Sequence, residues 1–430
     1  MVVAFGGVSY REHAVEVPLV WGGDDPRTLT VFARELVREG REDAPHLVWF
    51  QGGPGNRAQR PESISGWLDA ALDDHRVVLL DQRGTGRSTP ADAQSLAGLG
   101  AFEQAEYLRH FRVDSIVADA EAVREALGST SWWALGQSFG GFVLTHYLTA
   151  APSSLAGVMI AAGLPPLVTT EGATASADDV YAETYPLTAR RNDEFFARYP
   201  GDRRVCGVVA RHLADVEEIL PTGERLSPER FQKLGIGLGT ASDFDALHYA
   251  LEDPFAFAGG ARRLKTHSLA QWGVRLSMAQ NPLYAVLHES IYGRPGLGAT
   301  AWAAHRVRER FEVFATPPQE LGERFCFVGE HMFPWQFEQD PALVPLRGAA
   351  DVLAHVDDWD EIYDTAALAA NEVPVAAAMY TPDMFVPFAS QQRTAGLIGG
   401  LRPVVSSEYQ HDGIRADGAA LYGRLKEALA

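Results

Sequence analysis

Between Ser131 and Gly141 the chain reads SWWALGQSFGG. An apolar run, Trp132 to Leu135, enters the pentapeptide Gly136-Gln137-Ser138-Phe139-Gly140. A run with apolar residues at Phe142, Val143, Leu144, Tyr147 and Leu148 leaves it. That order is strand, sharp turn, helix. It restricts the fold more than any other feature. A serine in such a turn is held in strained backbone and lifted above the end of a strand, which calls for an open sheet with a helix running straight back from it. Gly136 and Gly140 flank the turn because neighbouring backbone crowds it. The helix that begins after Ser138 points its positive end at the place where an oxyanion would form.

The flanking pattern supplies the sheet. Residues 46–51 (HLVWFQ) form a short continuous apolar strand that runs into Gly52-Gly53-Pro54-Gly55. A helix near 61–72 and a strand at 76–80 (RVVLL) follow, ending in Asp81-Gln82-Arg83-Gly84-Thr85-Gly86-Arg87-Ser88. Residues 113–127 carry apolar side chains at helical spacing, and 155–162 (LAGVMIAA) read as a strand after the serine turn. Strands and helices thus alternate from about 46 to 163, the signature of a parallel sheet covered on both faces. Ahead of it, 13–20 and 29–37 flank Gly22-Gly23-Asp24-Asp25-Pro26 as an antiparallel hairpin. From 166 to 350 buried strands are missing and the period is helical, broken by Pro and Gly. The alternation then returns: a strand at 373–380 ending near Thr381-Pro382-Asp383, a helix near 387–398, a strand at 402–406 ending in Ser407–Gly413, and a last helix from about 416 to 429. At 430 residues the chain exceeds one compact core. The expected division is an α/β core over 1–165, a helical insertion over 166–350, and the rest of the core over 351–430.

A serine hydroxyl needs a base to take its proton and a third group to hold that base. At the ends of strands in a sheet of this kind, the order Ser, acid, His is met by Ser138, Asp383 and His411. Asp351, Asp357 and Asp360 are rivals, but none follows a clear strand. An oxyanion hole needs two backbone donors. The N–H of Phe139, next after the serine, and that of Gly53, in the loop after the first buried strand, are the expected pair. The Asp81–Ser88 loop lacks the third glycine and the spacing of a dinucleotide fingerprint, so it reads as a brace for the site. No H-E-x-x-H, Walker A or EF-hand pattern occurs, and no metal or cofactor is implied.

The net charge of −19 argues against nucleic acid as a partner. Cys206 and Cys326, the two cysteines, make no disulfide framework and suit free thiols in a reducing compartment. The N-terminus lacks a basic stretch followed by an apolar one, and no apolar run reaches the roughly 18 residues of a membrane span. A cytoplasmic protein is expected.

With these residues in place, the chain resembles the prolyl aminopeptidases (proline iminopeptidases) of the larger α/β-hydrolase type. The resemblance rests on Gly52-Gly53-Pro54-Gly55, Asp81–Ser88, Gly136–Gly141, Asp383-Met384-Phe385-Val386 and His411-x-Gly413, in family order over most of the chain. It implies a cytoplasmic serine exopeptidase that removes N-terminal proline from short peptides or amides without a metal. Ser138 matches the family's nucleophile, Asp383 the orienting acid, His411 the base, and the helical insertion its cap. Gln51 stands where the first motif often begins with His.

An aminopeptidase must also recognise a free amine, which calls for a sheltered carboxylate whose charge is answered when the ammonium arrives. The family draws such glutamates from the cap. Glu289, in the apolar NPLYAVLHESIYG, is the first choice and Glu330, in FCFVGEHMFPW, the second. Tyr292, Phe333 and Trp335 are candidates to wall a proline ring. The competing readings are another acyl hydrolase on the same fold (a tripeptidyl aminopeptidase, an esterase or an amidase) and a non-catalytic binding protein on a hydrolase scaffold.

Overall fold

A computed structural model describes residues 3–430. Its centre is a sheet whose inner strands are buried on both faces. The strands in chain order are β1 (Val3–Phe5), β2 (Val8–Pro18), β3 (Thr28–Arg38), β4 (His46–Phe50), β5 (Arg76–Asp81), β6 (Trp132–Gln137), β7 (Leu155–Ala161), β8 (Phe255–Ala258), β9 (Ala261–Leu264), β10 (Val375–Tyr380) and β11 (Arg402–Ser406). Nine of them form one sheet in the order β1-β2-β3-β5-β4-β6-β7-β10-β11. The pairs from β5 through β11 are parallel, and β1, β2 and β3 add antiparallel. The expected opening hairpin is β2–β3, with Val15 opposite Val31.

Alternation along β4 shows why an all-apolar strand belongs here. Leu47 and Trp49 point to a core shared with Trp67 and Leu68 of helix α1 (Gly66–Leu72) and with Leu421 and Leu425 of the last helix, Gly418–Leu429. Val48 and Phe50 point to the opposite core, with residues of α3 (Val113–Ala126) and α4 (Phe139–Ala150). A helix α2 (Ala101–Leu108), not anticipated from the sequence, precedes α3.

β7 pairs directly with β10, Val158 opposite Val375, so everything between Ala161 and Val375 leaves the sheet and returns to the neighbouring position. That stretch is helical apart from the hairpin β8–β9, and its longest helix is α5 (Ala177–Arg198). It packs back on the core: Phe195, Phe231 and Phe327 belong to the same continuous apolar cluster as Phe50. Among the described residues no helix is long and apolar enough to cross a membrane.

Candidate active site

The C-terminal ends of the parallel strands bring together Ser138, Asp383, His411 and the loop of Gly53, as expected for a sheet of this topology. Ser138 follows β6 directly, with φ 56° and ψ −125°, a region an L-residue enters only under constraint. The constraint is steric and hydrogen-bonded. A Cβ on Gly140 would lie 2.1 Å from the Phe50 carbonyl oxygen, and one on Gly136 would lie 2.5 Å from that of Gly140. The Ser138 N–H donates to Ala161 O at 3.0 Å, and its carbonyl accepts from Gly141 N–H at 2.7 Å. Helix α4 begins at the next residue, so the Phe139 N–H has no partner within the helix.

His411 and Asp383 meet. His411 Nδ1 lies 2.8 Å from Asp383 Oδ2, and Asp383 Oδ1 accepts the N–H groups of Phe385 at 2.8 Å and Val386 at 3.0 Å. Asp383 is fully buried. Its contact assigns the Nδ1 proton to His411 and leaves Nε2 able to accept one. Burial alone would lower the His411 pKa, but the Asp383 carboxylate, with Glu330 beyond it, holds it above the ordinary histidine value. The His411 N–H is tied to Gly239 O at 3.1 Å. No hydrogen bond joins Ser138 to His411 here, yet both line one cleft of about 340 Å³.

Gly52 and Gly53 line the same cleft. A Cβ on Gly52 would lie 2.9 Å from Ser138 Cβ, so the loop after β4 lies against the serine. The Asp81–Ser88 loop steadies it: Gln82 Nε2 donates to Gln51 O at 3.0 Å. Asp81 accepts from Ala58 N–H at 3.0 Å and Arg60 Nη1 at 2.9 Å, while Arg83 is spent on Asp119 and on the carbonyls of Leu19 and His110. With Arg83 engaged in this way and Arg87 paired with Glu12 at 2.6 Å, the loop is a brace.

The two glutamates part company. Glu330 lines the cleft, half-buried, and accepts from Tyr284 Oη at 3.2 Å. It makes no salt bridge among the described residues, and burial pushes its pKa up to about 7. Glu289 is not on the cleft. Its carboxylate oxygens accept the N–H groups of Ala303 and Ala304, each at 2.9 Å, and cap the helix Ala303–Val307. The expectation of a sheltered charge at Glu289 holds, with burial again lifting the pKa to about 7, but a helix terminus answers it.

The aromatic choices also differ from expectation. Tyr292 is buried between Phe142 and Tyr181, with ring centroids at 6.4 and 6.0 Å. Phe333 and Trp335 stack on each other at 5.5 Å. None of the three lines the cleft; Tyr292 packs between α4 and the helical segment, and Phe333 and Trp335 pack within that segment. The rings that do line it are Tyr284 and Phe385, with Ile236 and Met278 beside them. Tyr284 sits on the short helix Pro282–Leu287, and Glu289 lies past its end. Phe385 lies two residues past Asp383, and Ile236 and Met278 had no comparable marker.

The α/β hydrolase fold family matches residues 45–292. A proline iminopeptidase of Aeromonas sobria is 43% identical over 97% of this chain and 96% of its own length. A proline iminopeptidase of Aspergillus aculeatus is 34% identical over 94% of this chain and 90% of its own. Among solved structures, the esterase E22 is similar with a TM-score of 0.47 and 10% identity over 98% of this chain and 100% of that one.

Proposed function

The chain belongs to the α/β-hydrolase family and, within it, to the proline iminopeptidases, and on that premise we propose how its residues divide the work. It is a prolyl aminopeptidase, a serine exopeptidase that releases N-terminal proline. Ser138 attacks the carbonyl that follows the proline ring. His411 takes the serine proton at Nε2 and gives it to the leaving amine. Asp383 holds the imidazole through Nδ1 and stabilises the imidazolium as it forms. The N–H groups of Phe139 and Gly53 hold the tetrahedral oxyanion, and water then releases the acyl group by the same route in reverse.

The observation that carries the exopeptidase reading is Glu330. It is a cleft carboxylate beside His411 with one neutral donor, Tyr284, and no cation bonded to it. A proline ammonium supplies the missing charge, and charge-assisted bonds of this kind are the strong ones. Tyr284 and Phe385 offer apolar surface to the ring. Residues 166–350 act as the cap that closes one side of the cleft and restricts entry to short peptides. We place the protein in the cytoplasm, where the buried thiols of Cys206 and Cys326 stay reduced.

Hydrolysis of proline β-naphthylamide, its N-acetyl form and a p-nitrophenyl ester, with Ser138→Ala as control, tests this. Rapid cleavage of the free-amine amide, absent from the N-acetyl form and abolished in Ser138→Ala, is expected. Cleavage of the ester and the N-acetyl form, with none of the free amine, refutes the aminopeptidase reading and leaves an esterase.

A further inference from the structure

One short 3-10 segment, Lys233–Gly239, touches both ends of the machinery. At its start Lys233 is 4% exposed, and its ammonium donates to Gly329 O at 2.9 Å and His331 O at 2.5 Å. Those are the carbonyls on either side of Glu330. At its end Gly239 O accepts the N–H of His411. Between them Ile236 and Gly237 line the cleft.

We propose that Lys233 is a positioning residue for amine recognition: by holding both carbonyls that flank Glu330, it keeps that carboxylate in register with His411. The proposal rests on the reading of Glu330 as the amine anchor. In an exopeptidase the spacing between anchor and base is not free, because the substrate's amine and scissile carbonyl are joined through a single carbon. Binding constellations tolerate displacements of only about 0.5 Å. A segment tied at one end to the Glu330 loop and at the other to the His411 loop fixes that spacing.

The chemistry of Lys233 points the same way. Burying an ammonium is costly unless it is compensated. Here no carboxylate lies within salt-bridge distance among the described residues, so an ion pair does not explain its place. Burial drives its pKa down to about 7, against the pull of Glu330. The other groups near it are the His288 and His331 rings, kept neutral by burial, and the face of Phe333 at 5.7 Å. Glu330 in turn is faced by Tyr284, His411 and Asp383, with Tyr181 and Tyr292 in its field. Lys233 therefore gives Glu330 both a fixed backbone and a cation that favours its ionised form.

The test compares kcat/KM for proline β-naphthylamide and for a p-nitrophenyl ester in Lys233→Met. The ratio of amide to ester is expected to fall at least tenfold. The acid limb of the amide profile is expected to move to higher pH, because Glu330 loses the cation that holds its pKa down. Lys233→Gln, which keeps a neutral amide donor group, is expected to fall between. Equal losses on both substrates with an unmoved acid limb, no loss on either, or failure of both variants to fold would assign Lys233 to general stability and overturn the proposal. Glu330→Gln separates the two readings. If it leaves the ratio unchanged, the anchor assignment itself fails; if it lowers the ratio and Lys233→Met does not, only the proposal fails.

Discussion

Glu330→Gln is the substitution from which most can be learned, because the side chain keeps its volume and loses only its charge. Glu330 faces the cleft and retains some contact with water, so the cost of stranding a charge in a dry interior does not apply. The expected loss is one charge-assisted hydrogen bond, about 1.5–3 kcal/mol. At about 1.4 kcal/mol per tenfold, kcat/KM for proline β-naphthylamide should fall by roughly 10- to 150-fold. The ester has no ammonium to anchor and should change little. The pH profile sharpens the test. In the proposed roles, productive encounter with a free-amine substrate needs His411 neutral and Glu330 ionised, and kcat/KM reports both groups in the free enzyme. Both pKa values are raised, that of Glu330 to about 7. Activity therefore rises with pH through two deprotonations. Well below both pKa values, log kcat/KM for the amide should climb with a slope of two, and for the ester with a slope of one. Glu330→Gln should reduce the amide slope to one. Stopped-flow or initial-rate profiles on both substrates read this directly. A slope of one for the native amide profile, or an equal loss on both substrates in Glu330→Gln, would refute the assignment of Glu330.

Other substitutions probe the frame around that carboxylate. Asp383→Asn should lower kcat on amide and ester by the same factor, about three to four orders of magnitude, because it disturbs the His411 tautomer on which both reactions depend; steady-state kinetics with both substrates checks it. Glu289→Ala should cost about 1–2 kcal/mol of stability, as loss of a helix cap does, and leave the amide-to-ester ratio in place; a denaturant midpoint and the two-substrate assay check it. Gly140→Ala sets a Cβ against the Phe50 carbonyl, a contact backbone cannot relieve by rotation, so the elbow must shift. A loss of about 3 kcal/mol or more is expected in urea unfolding, with activity lost in the protein that remains folded.

The sheet and the candidate site of Ser138, Asp383 and His411 were legible because each leaves a local mark. A strand buried on both faces is a short apolar run, as in Leu47–Phe50, and an elbow needs glycines where backbone touches backbone, as at Gly136 and Gly140. Asp383 and His411 were found because loops at the ends of parallel strands converge, and chain order then does the rest. The helical segment offers no such rule. The helix that carries Tyr284 has only six residues, and which face meets the cleft depends on packing between residues far apart in sequence: Asn281 bonds Asn56, and Tyr284 bonds Glu330. Tyr292, Phe333 and Trp335 look alike in sequence to Tyr284 and Phe385, and tertiary packing alone sorts them. Lys233 carried no signal of its own, since a lone lysine reads as a surface residue.

Glu289 and Glu330 differ in what answers their charge. Burial raises both to about 7, so a perturbed pKa does not separate them. Their partners do. Glu289 receives two backbone N–H groups at the positive end of a helix, and its capacity to accept is spent within the fold. Glu330 receives one tyrosine hydroxyl, and beside the cleft its remaining lone pairs and its charge are unanswered by any hydrogen-bonded cation among the described residues. A fold that holds a carboxylate in that condition, with a lysine gripping the backbone around it, sacrifices stability in the empty state. On the proposed reading, binding a substrate ammonium recovers it, and the preference for a free N-terminus follows from hydrogen-bonding capacity left open in the cleft.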